Sequence, residues 1–408
     1  MRNFMRKLHL WVSIPFGLVI VITCFTGAML VFESEFIALC SGGASSVESN
    51  GDPLPVWKVV ECVEPSLGDG VEVTGVVIPS DACEAYRVNL SKPRRAALYV
   101  NQYTGEVLGM YKRPPFFDVV RRLHRWLMDT RPSDGGVYWG KAIVGASTLA
   151  FVVILIAGIV IWWPRNRKML VNRLRIAVSK GKNRFWYDMH VAGGIYAVLF
   201  MLAMALTGLT WSYGWYSNAL YGFFSNEKSG RGDVAMAVEE IYEPGAATPL
   251  NPTVLNGETD AVSSATLHTD AISGATELAA GNNSPYYSWQ VAVDAVSGNA
   301  DFNTITVSGG SISVALDGWG NQRAYDRYEF NEATGAITST EYYCDSSCRS
   351  KARGWVRTLH VGTWGGLFSK ILYFLAALLG ASLPLTGYWL WIRRLYLKRK
   401  GARGTRGT

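Results

Sequence analysis

Histidine is scarce in this chain, and its placement is the first pattern that could carry chemistry. Five histidines occur in 408 residues, and four of them stand at or just before the start of a long apolar stretch: His9, His124, His190 and His360. A neutral imidazole binds metals, and two imidazoles on facing helices can ligate a haem iron from both sides. The pattern predicts ligation inside a helical bundle. The fifth, His268, is expected at the surface.

Four uncharged stretches must position these histidines. The chain is 49% hydrophobic and 17% charged, which is typical of a membrane protein. Each stretch is long enough for a helix that crosses a hydrocarbon core of about 30 Å. The first is too long for a cleavable signal peptide, so we expect it to be retained. The predicted spans are Leu10 to Phe32, Ala142 to Trp163, Val191 to about Tyr216, and Ile371 to Ile392.

Basic residues predict the orientation. Segments 1–9, 164–189 and 393–408 hold 18 of the 39 Lys and Arg residues and a single acid, whereas the rest of the chain has 21 basic and 31 acidic residues. Short cytoplasmic segments retain Lys and Arg during insertion. We therefore expect a multi-pass inner-membrane protein with both termini in the cytoplasm. The high isoelectric point then reflects this topology and not nucleic-acid binding, and membrane lipid is an expected partner.

The two long connections between spans are predicted to be small antiparallel β-rich domains, each with about one helix. Alternating apolar runs are separated by turn residues at Thr104-Gly105, Ser297-Gly298 and Thr334-Gly335. Residues 243 to 285 read as a looser segment. The predicted fold is a membrane α-helical protein with a four-helix bundle and two extracytoplasmic α+β domains.

The spans contain an internal repeat. The segment that begins at His9 aligns with the segment that begins at His190 at a constant offset of 181, and "DVVRRLHRWL" aligns with "GWVRTLHVGT". Tandem copies in the same orientation bring equivalent residues to one depth. We therefore expect His9 to pair with His190 at the cytoplasmic side, and His124 with His360 at the outer side.

Other interpretations of these histidines remain. Single histidines near a membrane surface also serve as interfacial anchors. Zinc or copper would need further ligands, and no Cys, Asp or Glu is spaced to help on these helices. Gly27 follows His9 by 18 residues, or five helical turns, and Gly208 stands in the same relation to His190. These glycines either give a flat surface to a haem at the outer pair or allow close helix packing.

Basic residues flank the four histidines. They could donate hydrogen bonds to haem propionates, although cations are also common at membrane ends. Because His124 precedes Lys141 by 17 residues, it cannot lie deep in the same straight helix, and "FDVVRRLHRWLM" predicts an amphipathic interfacial helix. The flanking cations are Arg6, Arg122 and Arg357, with Lys7, Arg121 and Arg125.

Five of the six cysteines fall outside the spans, in a predicted oxidising compartment. Plausible disulfide pairs are Cys62 with Cys83 and Cys344 with Cys348, which leaves Cys40 odd. Cys24 lies within the first span.

The chain resembles the PepSY-associated transmembrane family in "RKLHLWVSIPFGLVIVITCFTGAMLVFE", "RRLHRWL", "MHVAGGIYAVLFMLAMALTGLTWSY", "RTLHVGTWGGL" and "TGYWLWIRR". The hairpins "ALYVNQYTGEVLG" and "YEFNEATGAITS" look like its PepSY modules. Members are often iron-regulated proteins of the bacterial inner membrane, and some are ferric-siderophore reductases with two haems b in the bundle. The resemblance implies haem ligation by His9, His124, His190 and His360, with a ferric siderophore or other ferric chelate as substrate.

The sequence also limits the possible electron donor. No flavin or nicotinamide fingerprint occurs, so the expected electron donor is a quinol or a cytoplasmic reductase. Two other functions are considered: a non-enzymatic scaffold that binds peptides or regulates a peptidase, and a siderophore permease. The segments are 1–32 with span one, 33–116 as the first PepSY-like domain, 117–163 with the interfacial helix and span two, 164–189 as a cytoplasmic loop, 190–216 as span three, 217–354 as the second PepSY-like domain, and 355–408 with span four and the tail.

Overall fold

The structure is a computed structural model that describes residues 1–41, 43–93, 96–111, 114–133, 135–224, 284–298, 302–316 and 320–404, without side chains from 398 onward. His268 and nearly all of the segment 243–285 lie outside the described residues.

Four helices in the described part are long and apolar enough to cross a membrane, as predicted. The third span, Lys182–Ser212, is built from helix α7, a π-helical turn at Met189–Gly193, and helix α8. It ends at Ser212 and not near Tyr216, because Tyr213 is extended and a new helix follows. The helices are α1 (Arg2–Val31), α2 (Glu33–Cys40), α3 (Val56–Val63), α4 (Pro115–Trp126), α5 (Trp139–Trp162), α6 (Arg167–Leu174), α7 (Lys182–Asp188), α8 (Gly194–Ser212), α9 (Gly214–Phe223), α10 (Tyr287–Ser297), α11 (Cys348–Val361) and α12 (Gly366–Gly404).

The long helices form a closed bundle. Helix α1 packs against α5 and α12, and α8 packs against the same two, so α1 and α8 lie across the bundle from each other. The bundle core contains Ile20, Phe151 and Met201. Large apolar side chains such as Leu18 and Leu199 are exposed on its outside, as expected for a surface that meets lipid.

The β-structure forms one sheet of eight antiparallel strands in the order β4-β3-β2-β1-β5-β6-β7-β8. The predicted hairpin turns at Thr104-Gly105 and Thr334-Gly335 are confirmed, and Gly105 and Gly335 have the positive φ of +76° and +74° that such turns require. The strands are β1 (Val73–Pro79), β2 (Tyr86–Leu90), β3 (Ala97–Val100), β4 (Val107–Tyr111), β5 (Phe302–Ser308), β6 (Ser311–Leu316), β7 (Tyr325–Phe330) and β8 (Ile337–Glu341).

Two expectations for the β-structure were wrong. The two predicted sheets are one, because β1 pairs with β5, with Val76 opposite Val307, and thereby covers two strand edges. The predicted turn at Ser297-Gly298 ends helix α10, since the buried residues Trp289, Ala292, Val293 and Val296 recur with helical spacing.

One face of the sheet packs against α3 and α10. This core includes Val59, Val88, Trp289 and Val307. Helix α4 confirms the helix predicted around His124. All six cysteines are free thiols, so neither predicted disulfide forms; Cys62 packs against Gly105, and the Cys83 amide donates to Asp81.

Candidate functional site

The four singled-out histidines form two pairs in the bundle. In the inner pair, the ring centres of His9 and His190 lie 6.2 Å apart with the planes at 90°. In the outer pair, those of His124 and His360 lie 6.3 Å apart with the planes at 59°. The structure thus brings together the residues that the repeat had paired. His124 and His360 reach the bundle from its rim on short separate helices, α4 and α11.

Each pair has the spacing that a single metal ion between two imidazoles requires. A metal–imidazole nitrogen bond of about 2.0 Å, plus about 1.15 Å from that nitrogen to the ring centre, gives about 6.3 Å between ring centres on opposite sides of an ion. The observed spacings are 6.2 and 6.3 Å. The spacing of the ring centres therefore fits two imidazoles that would hold one ion between them.

The hydrogen bonds of the four rings identify the nitrogen that can bind a metal. In every ring Nδ1 lies close to a main-chain carbonyl, which can only accept a hydrogen bond. The proton of each neutral ring therefore sits on Nδ1, which leaves the lone pair on Nε2. The Nδ1–O distances are 3.0 Å for His9–Ile154, 3.2 Å for His190–Leu383, 2.9 Å for His124–Thr23 and 2.9 Å for His360–Met204.

Threonine hydroxyls support three of the rings. The Oγ1 atoms of Thr26 and Thr207 lie 3.2 and 3.1 Å from Nδ1 of His124 and His360, respectively. Thr26 and Thr207 match each other at the offset of 181. At the inner pair, Oγ1 of Thr386 lies 3.0 Å from Nδ1 of His190, and sequence reasoning missed this contact.

A glycine lies beside each imidazole. A Cβ atom added to Gly27 would lie 3.0 Å from Cε1 of His124, and one added to Gly208 would lie 3.2 Å from Cε1 of His360. Both glycines therefore approach the outer pair, as the turn counting predicted.

The inner pair has the same arrangement with two glycines that sequence reasoning missed. The corresponding Cβ distances are 3.6 Å from Gly158 to His9 and 3.5 Å from Gly387 to His190. The signal was available, because Gly158 and Gly387 open the aligned segments "GIVIWWPR" and "GYWLWIRR".

Irregular backbone lies at or near three of the four histidines. His190 lies in the π-helical turn Met189–Gly193, and such turns are frequent at functional sites. His124 and His360 lie in the last turns of α4 and α11, which end in left-handed residues at Leu127 and Gly362. Burial lowers the pKa of His124 to about 4 and that of His360 to about 3, so both rings are neutral at pH 7.

The outer pair opens into a cavity of about 2000 Å³ that extends to the sheet. Arg121, Arg125 and Arg357 line this cavity, and Arg121 forms an ion pair of 2.6 Å with Glu33. Arg122 instead donates to the carbonyl of Met128.

The remaining flanking cations lie at the other end of the bundle. Arg6 and Lys7 are exposed near the start of α1, within a turn of His9. Arg6 is thus close in sequence to the inner pair, and no contact joins it to the imidazoles.

The outer pair is not symmetric. The ring centre of Trp211 lies 5.0 Å from that of His360, in an edge contact. Leu30 stands 181 residues before Trp211, and both line the cavity. Among the residues that the structure describes, Trp211 is thus an aromatic neighbour of His360 that also faces the cavity, and Leu30 takes its place in the other repeat.

Two histidines at each pair suit a haem better than a metal ion whose ligands all come from the protein. Within the described ranges, no group of three or more His, Cys, Asp or Glu side chains is placed to hold a metal. Zinc sites usually need three or four protein ligands, whereas a haem brings four nitrogens and needs only two axial ones. The two pairs and their neighbouring glycines fit that need.

Comparison with known proteins gives one result. No curated protein matches the chain. The model of the PepSY-associated TM region matches residues 6–394, nearly the whole sequence. The chain, with its four membrane-spanning helices, therefore belongs to the PepSY-associated transmembrane family.

Proposed function

We propose that this protein is a di-haem b-type electron-transfer protein that reduces a ferric siderophore, or another ferric chelate, outside the cytoplasm. The observation that carries the proposal is the spacing of 6.2 and 6.3 Å between the ring centres of the two histidine pairs. Haem bound at both pairs would supply one-electron redox centres at two depths of the membrane.

The chain's own residues have definite roles in this proposal. His9 with His190, and His124 with His360, present Nε2 lone pairs, while main-chain carbonyls hold the Nδ1 protons. The neighbouring glycines leave flat space beside each ring. Arg125 and Arg357 line the outer cavity and would neutralise propionates there.

The membrane arrangement follows from the repeat and from the basic segments. His9 precedes Thr23, a contact of His124, by 14 residues, which is about 21 Å along a helix. The two pairs therefore lie near opposite sides of the bilayer. The repeated contacts of Thr26 and Thr207 support two tandem copies of one unit. The basic segments support cytoplasmic termini, an inner-membrane location, and two PepSY modules outside the cytoplasm.

The overall reaction balances with one electron per iron. A quinol or a cytoplasmic reductase loses the electron at the inner side, and Fe(III) in the chelate becomes Fe(II) at the outer side. Ferrous iron binds siderophores more weakly, so the metal is released. The cavity allows a chelate to approach the outer pair closely.

The test is a reduced-minus-oxidised visible spectrum with haem quantitation on purified wild type, His9→Ala, His360→Ala and His268→Ala. About two b haems per chain, with about one lost in each of the first two variants, is the expected result for bis-histidine ligation. His268→Ala is the matched control and should retain both.

A second measurement tests the reaction. Proteoliposomes that contain a reductant inside should form Fe(II) from an external ferric chelate, and the His360→Ala protein should lose this activity. Wild type that binds no haem, even after reconstitution, would overturn the proposal and favour the scaffold function.

A further inference from the structure

The cavity at the outer histidine pair joins the bundle to the sheet. His124, His360 and Gly208 line one end, and Arg87 of β2 and Arg327 of β7 line the other. Its volume is about 2000 Å³, whereas ordinary small-molecule sites have about 300 to 1,000 Å³. The cavity therefore has room for a group held by the histidines and for a second ligand under the sheet.

The lining of this cavity is basic although the surrounding half of the chain is acidic. Outside the three basic segments the chain has 21 basic and 31 acidic residues. The cavity is lined by eight Arg and Lys residues and five Asp and Glu residues. A concave site with an excess of one charge focuses its field and attracts ions of the opposite sign. Arg125 and Arg357 are the two that would neutralise propionates, and the six remaining cations still outnumber the five acids. The remaining lining therefore favours an anionic occupant.

Arg87 lies where it can meet such an occupant. Its Cζ is 5.5 Å from the ring centre of Tyr111, and that ring lies 6.0 Å from the ring of Tyr99. Arg87 and Tyr99 are cross-strand partners. A guanidinium that packs on an aromatic ring keeps its charge and presents a planar donor surface to oxygen ligands.

Arg327 provides the second cation of the sheet, and an acidic neighbour partly offsets it. Nη1 of Arg327 lies 3.6 Å from Oε2 of Glu341, and the two side chains are 59% and 54% exposed. An ion pair this exposed contributes little to stability. A ligand oxygen can therefore compete with Glu341 for Arg327, while Glu341 repels an anion.

We infer that this cavity binds ferric chelates with a net negative charge, of the trianionic tris-catecholate class, in preference to neutral trihydroxamates. The inference rests on the proposed reductase function and adds the charge class of the substrate. In this inference, Arg87 and Arg327 attract the anionic chelate and thereby set the specificity, whereas Glu341 repels it.

The experiment measures binding without electron transfer. The full-length protein in nanodiscs is titrated calorimetrically with two redox-inert gallium(III) chelates, a trianionic tripodal tris-catecholate and a neutral trihydroxamate. The proteins compared are wild type, Arg87→Gln, Glu341→Gln and Lys58→Gln. Lys58 is the matched control, because it lies on α3, outside the cavity, and pairs with Glu61.

We expect Arg87→Gln and Glu341→Gln to change the affinity for the trianionic chelate in opposite directions. Wild type should bind the trianion about tenfold more tightly than the neutral chelate at low ionic strength, with the difference shrinking as salt is added. Arg87→Gln should weaken trianion binding about fivefold to tenfold, and Glu341→Gln should strengthen it. Lys58→Gln should change neither chelate, and the neutral chelate should bind all four proteins alike.

Equal or tighter binding of the neutral chelate by wild type overturns the inference, as does a change of the same sign in Arg87→Gln and Glu341→Gln. If haem content and iron reduction are normal, such a result rejects only the charge class. Haem-free protein instead rejects the proposed function, and the gallium titration remains readable.

Discussion

Gly208 lies in direct contact with the imidazole of His360: a Cβ atom at this glycine would be 3.2 Å from Cε1. Gly27 has the same relation to His124, at 3.0 Å. Both distances are tighter than ordinary van der Waals contact, so a larger side chain must displace the ring. The glycines therefore leave the space that the imidazoles of His124 and His360 occupy.

Gly27→Val and Gly208→Val should each disturb the outer centre and spare the inner one. A branched side chain would displace the neighbouring imidazole, so the proposed function predicts that haem content falls from about two to about one per chain. Haem quantitation and low-temperature EPR measure this. Gly214→Ala is the control, because no heavy atom lies within 4 Å of its added Cβ. Full haem content with unchanged EPR in both valine variants would contradict the prediction.

Thr26 and Thr207 should tune the reduction potential of the haem that we propose between His124 and His360. Oγ1 of Thr207 donates to the carbonyl of Ala203 at 2.6 Å, so its lone pair can accept from Nδ1 of His360. This acceptor makes the imidazole a stronger donor and favours ferric iron. Thr207→Val should therefore raise the outer midpoint potential by up to about 40 mV, the equivalent of about 1 kcal/mol for one electron.

Spectroelectrochemistry on Thr207→Val and Thr386→Val checks this prediction. Thr386 contacts His190 in the same way, so its variant should shift the inner centre and leave the outer one unchanged. A shift of the same centre in both variants, or a fall in potential, would count against the assigned hydrogen bonds.

Much of the site was predictable because the sequence repeats itself. The offset of 181 relates His9 to His190 and Thr26 to Thr207. The five helical turns between His9 and Gly27 predicted that Gly27 lies near the outer pair. The four spans followed from their apolar length. These features depend on local periodicity, which a single sequence displays.

The missed features depend on tertiary pairing. Nothing local specifies that β1 pairs with β5, since any exposed strand edge could serve. The helix Tyr287–Ser297 was mistaken for a strand because a short apolar run fits both periods. The contact of Thr386 with His190 joins residues 196 positions apart, and it has no counterpart in the other half, where Ala157 occupies the matching position.

Asp188 should anchor the basic loop 164–189 beside His190. Its side chain is 3% exposed, forms an ion pair of 2.8 Å with Arg184 and accepts from the amide of Ala177 at 3.1 Å. Asp188→Ala removes both interactions and should cost about 1 to 2 kcal/mol of stability, because Arg184 is 46% exposed and recovers solvation.

Thermal unfolding in nanodiscs, with the inner haem followed spectroscopically, measures the effect of Asp188→Ala. The melting temperature should fall, and the inner haem should be released first, because His190 lies two residues away. Asp69→Ala, at an exposed aspartate, is the control. An unchanged melting temperature in Asp188→Ala would refute the anchoring role.

The ion pair between Glu35 of α2 and Lys370 of α12 should give a pH-dependent contribution to stability. Burial alone would raise the pKa of Glu35, but the hydrogen bond and charge of Lys370, aided by Ser34, outweigh burial and lower it below 4.5. A carboxylate with a lowered folded pKa stabilises the fold above its unfolded pKa, and this contribution is lost as pH falls through the folded pKa. Glu35 is 44% exposed, so solvent screening keeps the contribution below about 1 kcal/mol.

Wild type should therefore melt at a higher temperature than Glu35→Gln at pH 7, and the two curves of melting temperature against pH should converge as pH falls below 4.5. Lys370→Met should lower the melting temperature at pH 7 in the same way. A difference between wild type and Glu35→Gln that persists undiminished at the lowest pH would show that the contact acts through packing and not through charge.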